Sequence, residues 1–555
     1  MRRQRPPAER ATVRTHEAAV RSAAAASAVA VCALLLRWLT TAKCAYGIDP
    51  VNYALAVSRF DVRLQQPHPP GLLWFVLLAR AIMPLAREAH RALIYANLLG
   101  SFACVVLAYL LAARVFGNRR AAVAASVLAA TSPLLWFYGS VGERYVWEAV
   151  SVLTIAYLAW RAAHSGGLGW LAVLSGALGL VGGLGPFHVV FLLPLWAWVV
   201  LRNPPRPLAA AAVGLPLVAA GIVAWLLPTV LMSGGWGAYR TACLRFGSGV
   251  TWAGWRTPAA VIGNLKNFVA WVGAGFGAAI FPALWLVLSR RAAVGRAVGP
   301  WSGAGAFWIA AIAPASAFYI LGHLSKPGYM LAVVPLLIVI LAGALDIALG
   351  TQRGMPWRAF VLSASAAANC AFFLCAAPLP VRSPDTWSLP SWRLRLARQV
   401  NRSVLDLTWG EIRDHDSFCR RWQCYARAHF RREDTVLVGE EARGRRGYPR
   451  QMAYYLREYL ILGLDHQRHR HAWYRCGARQ CVGGRVVAVP PGARHLVWLV
   501  EDLPAGADTA TRSRFAHRAT LLGRARELQV LELPTNTLPI SYLGFRVVRA
   551  ETAGR

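Results

Sequence analysis

Acidic residues are scarce in this chain: 25 Asp and Glu stand against 60 Lys and Arg, for a formal net charge of +35. The signatures of soluble nucleotide enzymes are also missing. There is no P-loop, no GxGxxG after a strand, no Ser-His-Asp spacing and no metal-ligand cluster. No internal repeat appears, and no low-complexity tract beyond alanine-rich apolar runs. After Leu379 no apolar run reaches the ~18 residues that mark a membrane helix. Nucleotide-driven chemistry and a repeat scaffold are thereby excluded, and the last third of the chain reads differently from the rest.

Apolar sequence is what the chain has in abundance. Hydrophobic residues make up 56%, Trp occurs 23 times, and apolar runs recur from Ala18 to Leu379. Most of these runs meet the ~20 residues needed to span a bilayer. The arginines mostly sit in short loops between the runs, where positive charge marks the cytoplasmic side. The basic balance of the first 380 residues therefore calls for no nucleic acid. The basic tail suits anionic headgroups or phosphate-bearing substrates. The segment MRRQRPPAERATVR precedes an Ala/Val/Leu run without a small-residue cleavage site, so the first span reads as retained.

Run length and basic loops together give eleven spans: Ala18–Leu39, Leu93–Val115, Ala121–Phe137, Val146–Ala163, Leu168–Leu184, Phe187–Leu201, Leu208–Leu231, Phe268–Leu288, Gly305–Leu321, Met330–Leu349 and Phe360–Ala377. Gly71–Ala86 is apolar but short, with Arg80 and Pro84 inside. Counting it as a span would place most basic loops outside, so it reads as an interfacial or re-entrant helix. This map puts the N-terminus in the cytoplasm and everything after Val381 outside the cytoplasmic (inner) membrane. The domain reading is residues 1–380 as a polytopic helical bundle and 381–555 as a small extracytoplasmic α/β domain. The latter has strands at Thr435–Val438, Arg485–Val489, His495–Val500 and Leu528–Leu533 and a helix at Arg450–Leu462. Ser383–Arg402 reads as a linker or amphipathic collar.

Six of the ten cysteines lie in or beside spans, where Cys acts as a small hydrophobe. The other four form two equally spaced pairs, Cys419/Cys424 and Cys476/Cys481. Outside the cytoplasm these imply up to two disulfides with three connectivities. A zinc site is the rival, with gaps wider than the common two-residue knuckle.

Four polar patches fall on the outer side of the map. The first runs from Asp49 to His68 and includes Tyr53 and Asp61. The second is FYGSVGERYVWE, with Glu143, Arg144 and Tyr145. The third is Gly185-Pro186-Phe187-His188, and the fourth is LGHLSKPGYM, with His323 and Lys326. Acids in two patches and His/Lys in the others suit an anionic, lipid-carried donor. A carboxylate would take a proton from an acceptor hydroxyl or amine, and cations would hold and stabilise the departing phosphate. Each residue has a plainer alternative. Asp49 and Asp61 also fit helix caps, Glu143 a surface ion pair with Arg144 or Lys326, His68 a turn, and His188 a core histidine. The tryptophans form an interfacial belt, with Trp252 and Trp255 placed to stack on a sugar.

At these residues the sequence resembles bacterial GT-C membrane glycosyltransferases, the group that includes protein O-mannosyltransferases and lipid A aminoarabinose transferases. The resemblance rests on an acid closing the first span, the HPPG segment, ATSPLLWFYGSVGERY, and HLSKPGYML before VVPLL. It covers roughly residues 30 to 350. It implies a membrane helical bundle of GT-C type and transfer of a sugar from a polyprenyl-phosphate donor to a lipid, glycan or protein acceptor on the outer face. It also implies Asp49 as catalytic base or acceptor-orienting group, with Glu143 as the second acid. His68, His323 and Lys326 would lie near the donor phosphate, and Tyr53, Arg144 and Tyr145 would bind substrate. No cofactor follows, and a divalent metal is unsupported. Two departures stand out: Ile48 precedes Asp49 where many relatives have a second acid, and Glu143 stands where Asp is common. A transporter or flippase of a lipid-linked substrate is the alternative, which calls for mid-span charges and two related halves.

Overall fold

A computed structural model of the chain describes residues 24–165, 167–202, 207–249, 257–299, 304–350, 355–376, 402–440, 449–465, 468–500, 516–521, 527–542 and 544–550. The Ser383–Asn401 stretch of the expected linker, Trp252 and Trp255 lie outside these residues. The chain divides into two compact units: residues 1–41, 59–377 and 397–410 form the first, and residues 42–58, 378–396 and 411–555 the second.

The first unit is helical. Its elements are α1 (Ala24–Leu39), then, after the segment given to the second unit, α3 (Leu73–Ala86), α4 (Ala89–Phe116), α5 (Arg119–Thr131), α6 (Pro133–Ser140), α7 (Tyr145–Ser165), α8 (Leu168–Val181), α9 (Phe187–Leu201), α10 (Pro207–Met232), α11 (Trp236–Gly249), α12 (Pro258–Phe276), α13 (Ile280–Ser289), α14 (Arg291–Val298), α15 (Ala304–Leu321), α16 (Val334–Leu349) and α17 (Met355–Cys375). Among the described residues five helices are long and apolar enough to cross a membrane, or six if the bent pair α5–α6 is one span. The chain is an integral membrane protein, but the count of eleven spans is not confirmed. Within the described residues the expected spans fall on helices, with Ala121–Phe137 split over α5 and α6 and Phe268–Leu288 over α12 and α13. Several of those helices are short, such as α8 with 14 residues and α9 with 15, because Gly and Pro punctuate the apolar runs. Between the expected spans Leu208–Leu231 and Phe268–Leu288 the described residues hold α11 and the start of α12.

The break between α5 and α6 positions the site. Pro133 has no N–H to continue the helix, and the axis bends by 54°. The Ser132 hydroxyl accepts from Leu135 N–H at 3.4 Å and donates to Gly275 O at 2.6 Å. Arg37, 1% exposed, donates to Ala130 O at the end of α5 (2.9 Å) and lies over the Trp136 ring at 5.6 Å. A cation at a helix C-terminus complements the carbonyl ends gathered there, which accounts for an arginine inside an apolar bundle. Helix α6 is buried along its whole length and delivers the chain into the Val141–Arg144 turn. Elsewhere small residues let helices meet. A Cβ on Gly221 would lie 2.8 Å from Gly176 O, and one on Gly179 would run into Val218 O, the close-contact mode of membrane helices.

The first loop is more structured than a connector. Asp61 caps the 3-10 turn Val62–Leu64, accepting from Arg63 N–H at 3.0 Å and from the Arg63 guanidinium at 2.9 and 2.7 Å. Burial alone would raise its carboxyl, but the Arg63 bonds, with Arg59 nearby, hold it below the usual value. The Gln66–Pro67 and Pro69–Pro70 peptides are cis, and Tyr239 OH donates to Pro70 O at 2.8 Å.

The second unit combines residues 42–58 with the tail. It holds α2 (Ile48–Ser58), most of α18 (Trp409–His429), α19 (Pro449–Tyr455) and ten strands. These are β1 (Thr435–Glu440), β2 (Leu460–Asp465), β3 (Arg470–Arg475), β4 (Ala478–Gly483), β5 (Val486–Val489), β6 (His495–Val500), β7 (Ala516–Leu521), β8 (Glu527–Pro534), β9 (Ile540–Tyr542) and β10 (Phe545–Arg549). The larger sheet has the order β4-β3-β2-β1-β6-β8-β7, with β1 parallel to β2 and β6, and the smaller has β5-β10-β9. All six residues of β1 are buried, as expected for a parallel strand covered on both faces. One core, with Phe418, Trp422, Leu437 and Ile461, lies under α18 and α19, and a second, with Val438, Trp498 and Tyr542, fills the other side. The expected helix Arg450–Leu462 ends at Tyr455, and Leu460 to Leu462 belong to β2. Its apolar run LILGL pairs in register with β1, so sheet pairing wins over helix propensity.

The cysteine pairs also need correction: none of Cys419, Cys424, Cys476 and Cys481 is bonded to another of the four. Cys419 and Cys424 share α18 five residues apart, which puts them on different faces at ~100° per residue. Cys419 is buried and Cys424 exposed.

Candidate functional site

Within the first unit, three of the four patches meet. The turn after α6 is pinned from below by Asn97 on α4, whose amide Nδ2 donates to Val141 O at 2.6 Å and Glu143 O at 2.5 Å. Asn97 is fully buried. Its bonds fix the backbone that presents Glu143, Arg144 and Tyr145.

Glu143 is 4% exposed, and its Oε1 accepts from Lys326 Nζ at 3.1 Å. Lys326 itself is about one-third exposed and stands 5.9 Å from the centre of the Tyr145 ring. It precedes the 3-10 turn Pro327–Ala332. That turn is docked by Gly328 N–H, which donates to the buried Tyr138 OH at 3.0 Å. A Cβ on Gly328 would strike Tyr145 and sit 2.9 Å from Tyr138, so the close approach requires glycine. Aromatic rings wall the turn. Tyr145 meets Tyr138 and Tyr329 edge-on at 5.0 and 5.3 Å, Tyr329 stacks on Tyr319 at 5.2 Å, and His323 lies 5.9 Å from Tyr329.

Behind this pair is a second set of charges. Arg144 lies over Tyr145 at 5.1 Å and forms an ion pair with Glu148, one turn into α7. The His188 Nε2 is 3.9 Å from the other Glu148 oxygen, and its Nδ1 is 2.9 Å from Gly185 O. The Glu143–Lys326 and Arg144–Glu148–His188 groups are thus adjacent, joined by consecutive residues 143 and 144. Opposite charges are held in low-dielectric surroundings, where each is costly without its partner.

The remaining candidates are placed differently. His68 stacks on Phe246 of α11, with rings 5.2 Å apart and 3° from parallel, and its Nδ1 lies 2.9 Å from Pro69 O. Asp61 serves as the cap described above. Asp49 and Tyr53 lie on α2, in the second unit. Asp49 is half-buried in the first turn of the helix, where the dipole favours a carboxylate, and Tyr53 is buried.

The sequence reading passed over Asn97, Tyr138, Tyr329 and Glu148. Glu148 carried a signal, as a carboxylate inside an expected span. Asn97 carried none, because its role depends on carbonyls more than forty residues away. Among the described residues no group of three His, Cys, Asp or Glu side chains is arranged as a metal site.

No protein-family model matches the sequence, and no curated protein matches it. Solved structures do match in fold. The crystal structure of ArnT from Cupriavidus metallidurans bound to undecaprenyl phosphate superposes with a TM-score of 0.56 at 12% identity, over 91% of this chain and 96% of that one. The same protein in the apo state gives 0.56 at 13% identity, over 93% and 98%. The chain therefore shares the fold of these ArnT structures along nearly its whole length.

Proposed function

We propose that this protein is a membrane glycosyltransferase. In this reading it moves a sugar from a polyprenyl-phosphate-linked donor to a lipid, glycan or protein acceptor on the outer face of the cytoplasmic membrane. The observation that carries the reading is the buried Glu143 paired with the part-exposed Lys326, at the point where the GERY turn meets the KPGY turn. The fold shared with ArnT supports it, as does the undecaprenyl phosphate bound in one of those crystals.

The chemistry follows from the charges. A donor phosphate would compete with Glu143 for Lys326, with Arg144, His323 and His68 as further cations or hydrogen-bond donors, and Tyr145 as a sugar-binding ring. An acceptor O–H or N–H attacks the anomeric carbon as the bond from that carbon to the phosphate oxygen breaks, with inversion. The acceptor proton passes to a carboxylate, Asp49 or Glu143. The phosphate leaves with its new negative charge facing the cations, which lowers the barrier at the point where charge develops.

A transporter or flippase would need charged groups along a path through the helices. The buried charges there are engaged locally: Arg37 with Ala33 O and Ala130 O, Glu148 with Arg144, and Asp346 with Asn118 and Arg358. The transferase reading is the better supported.

The test is transfer of label from polyprenyl-phosphate sugars by purified protein supplied with a membrane extract. We expect Asp49→Asn and Glu143→Gln to differ: the variant that removes the base loses ~100-fold or more in rate while still binding donor. Donor that crosses liposome membranes without any transfer would hand the case to the flippase.

A further inference from the structure

We propose that Cys44 and Cys419 form a disulfide that ties the Ala42–Ser58 segment to α18. The proposal rests on the extracytoplasmic placement of the second unit, where thiols are oxidised. Cys44 is 4% exposed and Cys419 1%, and both belong to the same apolar core. The backbone around them is clamped from both sides. The Asp416 carboxylate, one turn before Cys419, accepts from Lys43 N–H and Cys44 N–H at 2.8 Å each. The Gln451 amide donates to Ala45 O at 2.8 Å and to Cys419 Sγ at 3.4 Å. Tyr455 OH accepts from Ala45 N–H at 2.7 Å. Three side chains thus hold residues 43–45 against the helix turn that carries Cys419. Bridging requires the two residues to approach closely, and the shared core and the Gln451 bonds to both Ala45 and Cys419 bring them together.

The exchange is balanced with a dithiol–disulfide oxidant of the thiol–disulfide oxidoreductase class. One protein thiolate attacks a sulfur of the oxidant's disulfide and expels the other as thiolate. The second protein thiolate then attacks the mixed disulfide. The protein S–S bond forms, the oxidant leaves as a dithiol, and its sulfurs take up the two protons released by the cysteines. Burial holds the Cys419 thiol well above its usual range in the folded chain, so the exchange belongs to folding, before the core closes. Once made, the bond would fix the segment that carries Asp49 and Tyr53.

Trypsin would release Cys44 in peptide 44–59 and Cys419 in peptide 414–420. Membranes are alkylated, digested without reductant and analysed by mass. The expected result is a joined 44–59/414–420 species that vanishes on reduction and is missing from Cys44→Ser and Cys419→Ser. Reducing the wild-type protein should also speed amide exchange over residues 42–58 by ~10-fold or more, since a tether removed lowers the local opening cost. The exposed Cys424 reports the compartment through a membrane-impermeant maleimide on intact cells. Both peptides alkylated, in a chain whose Cys424 is labelled from outside, would overturn the disulfide and leave the transferase reading standing. Cys424 labelled only after permeabilisation would overturn the outer placement, and the disulfide with it.

Discussion

A carboxylate removed from water is tolerated only where partners offset its desolvation, and Glu143 has Lys326 for that purpose. If the pair is part of the machinery, its two members must be coupled in catalysis. We expect Glu143→Gln and Lys326→Met each to reduce transfer by ~100-fold or more, and the double variant to be little worse than either alone, because residues acting as a unit are non-additive. Independent, multiplying losses would show that they act separately. Asn97 makes a different prediction. Its amide satisfies two buried carbonyls of the turn, and an orphaned buried polar group costs ~1–3 kcal/mol. Asn97→Ala should therefore lower thermal stability by about that much and reduce transfer with it. An Ala variant as stable and active as wild type would mean that the turn needs no support from α4.

At the scale of elements, helices were legible from apolar runs, while the break at Pro133 inside one run was not. What was not legible was α2. IDPVNYALAVS is short, with an acid and a proline in its first turn, and it reads as loop until α19 supplies a helix for it to pack on. Strands β3, β4, β7 and β10 were equally opaque, since arginines interrupt their apolar positions, and β9 has only three residues. The dependence of residues 42–45 on the tail leads to a pH prediction. Burial pushes the Asp416 carboxyl up from an ordinary 3.8 to about 6, against the Lys43 and Cys44 amides and the Arg420 and Lys43 charges. The folded state therefore keeps its proton to higher pH than the unfolded chain does. This contribution is present in full below about pH 4 and is lost as pH rises towards about 6, at most about 3 kcal/mol at 1.36 kcal/mol per pH unit. Thermal unfolding of the purified protein between pH 4 and 7 should show that decline. Asp416→Asn should flatten it while weakening one of the two backbone bonds. A slope unchanged in the variant would assign the titration to another group.

For the molecule as a whole, the most informative sequence property was the imbalance of charge, since +35 in an apolar chain is a statement about loops and membrane sides. It was less informative about the number of spans, because a run of twenty apolar residues does not reveal whether proline will split it, as at Ser132–Pro133. It was silent on the partition of the first loop, where residues 42–58 belong with the tail and residues 59–72 with the bundle. Orientation is where the charge argument can be tested directly. Arg119–Arg120 open α5 and Arg290–Arg291 stand where α13 meets α14, at the most basic short turns of the bundle, and Arg291 is exposed. In a background lacking the exposed native cysteines, Arg291→Cys should resist an impermeant maleimide in intact cells and react at once after permeabilisation. Labelling in intact cells would invert the bundle and put the GERY and KPGY turns on the cytoplasmic side. The donor would then have to be met on the inner leaflet, and the outer-face transferase reading would fail even if Glu143 and Lys326 proved to be coupled.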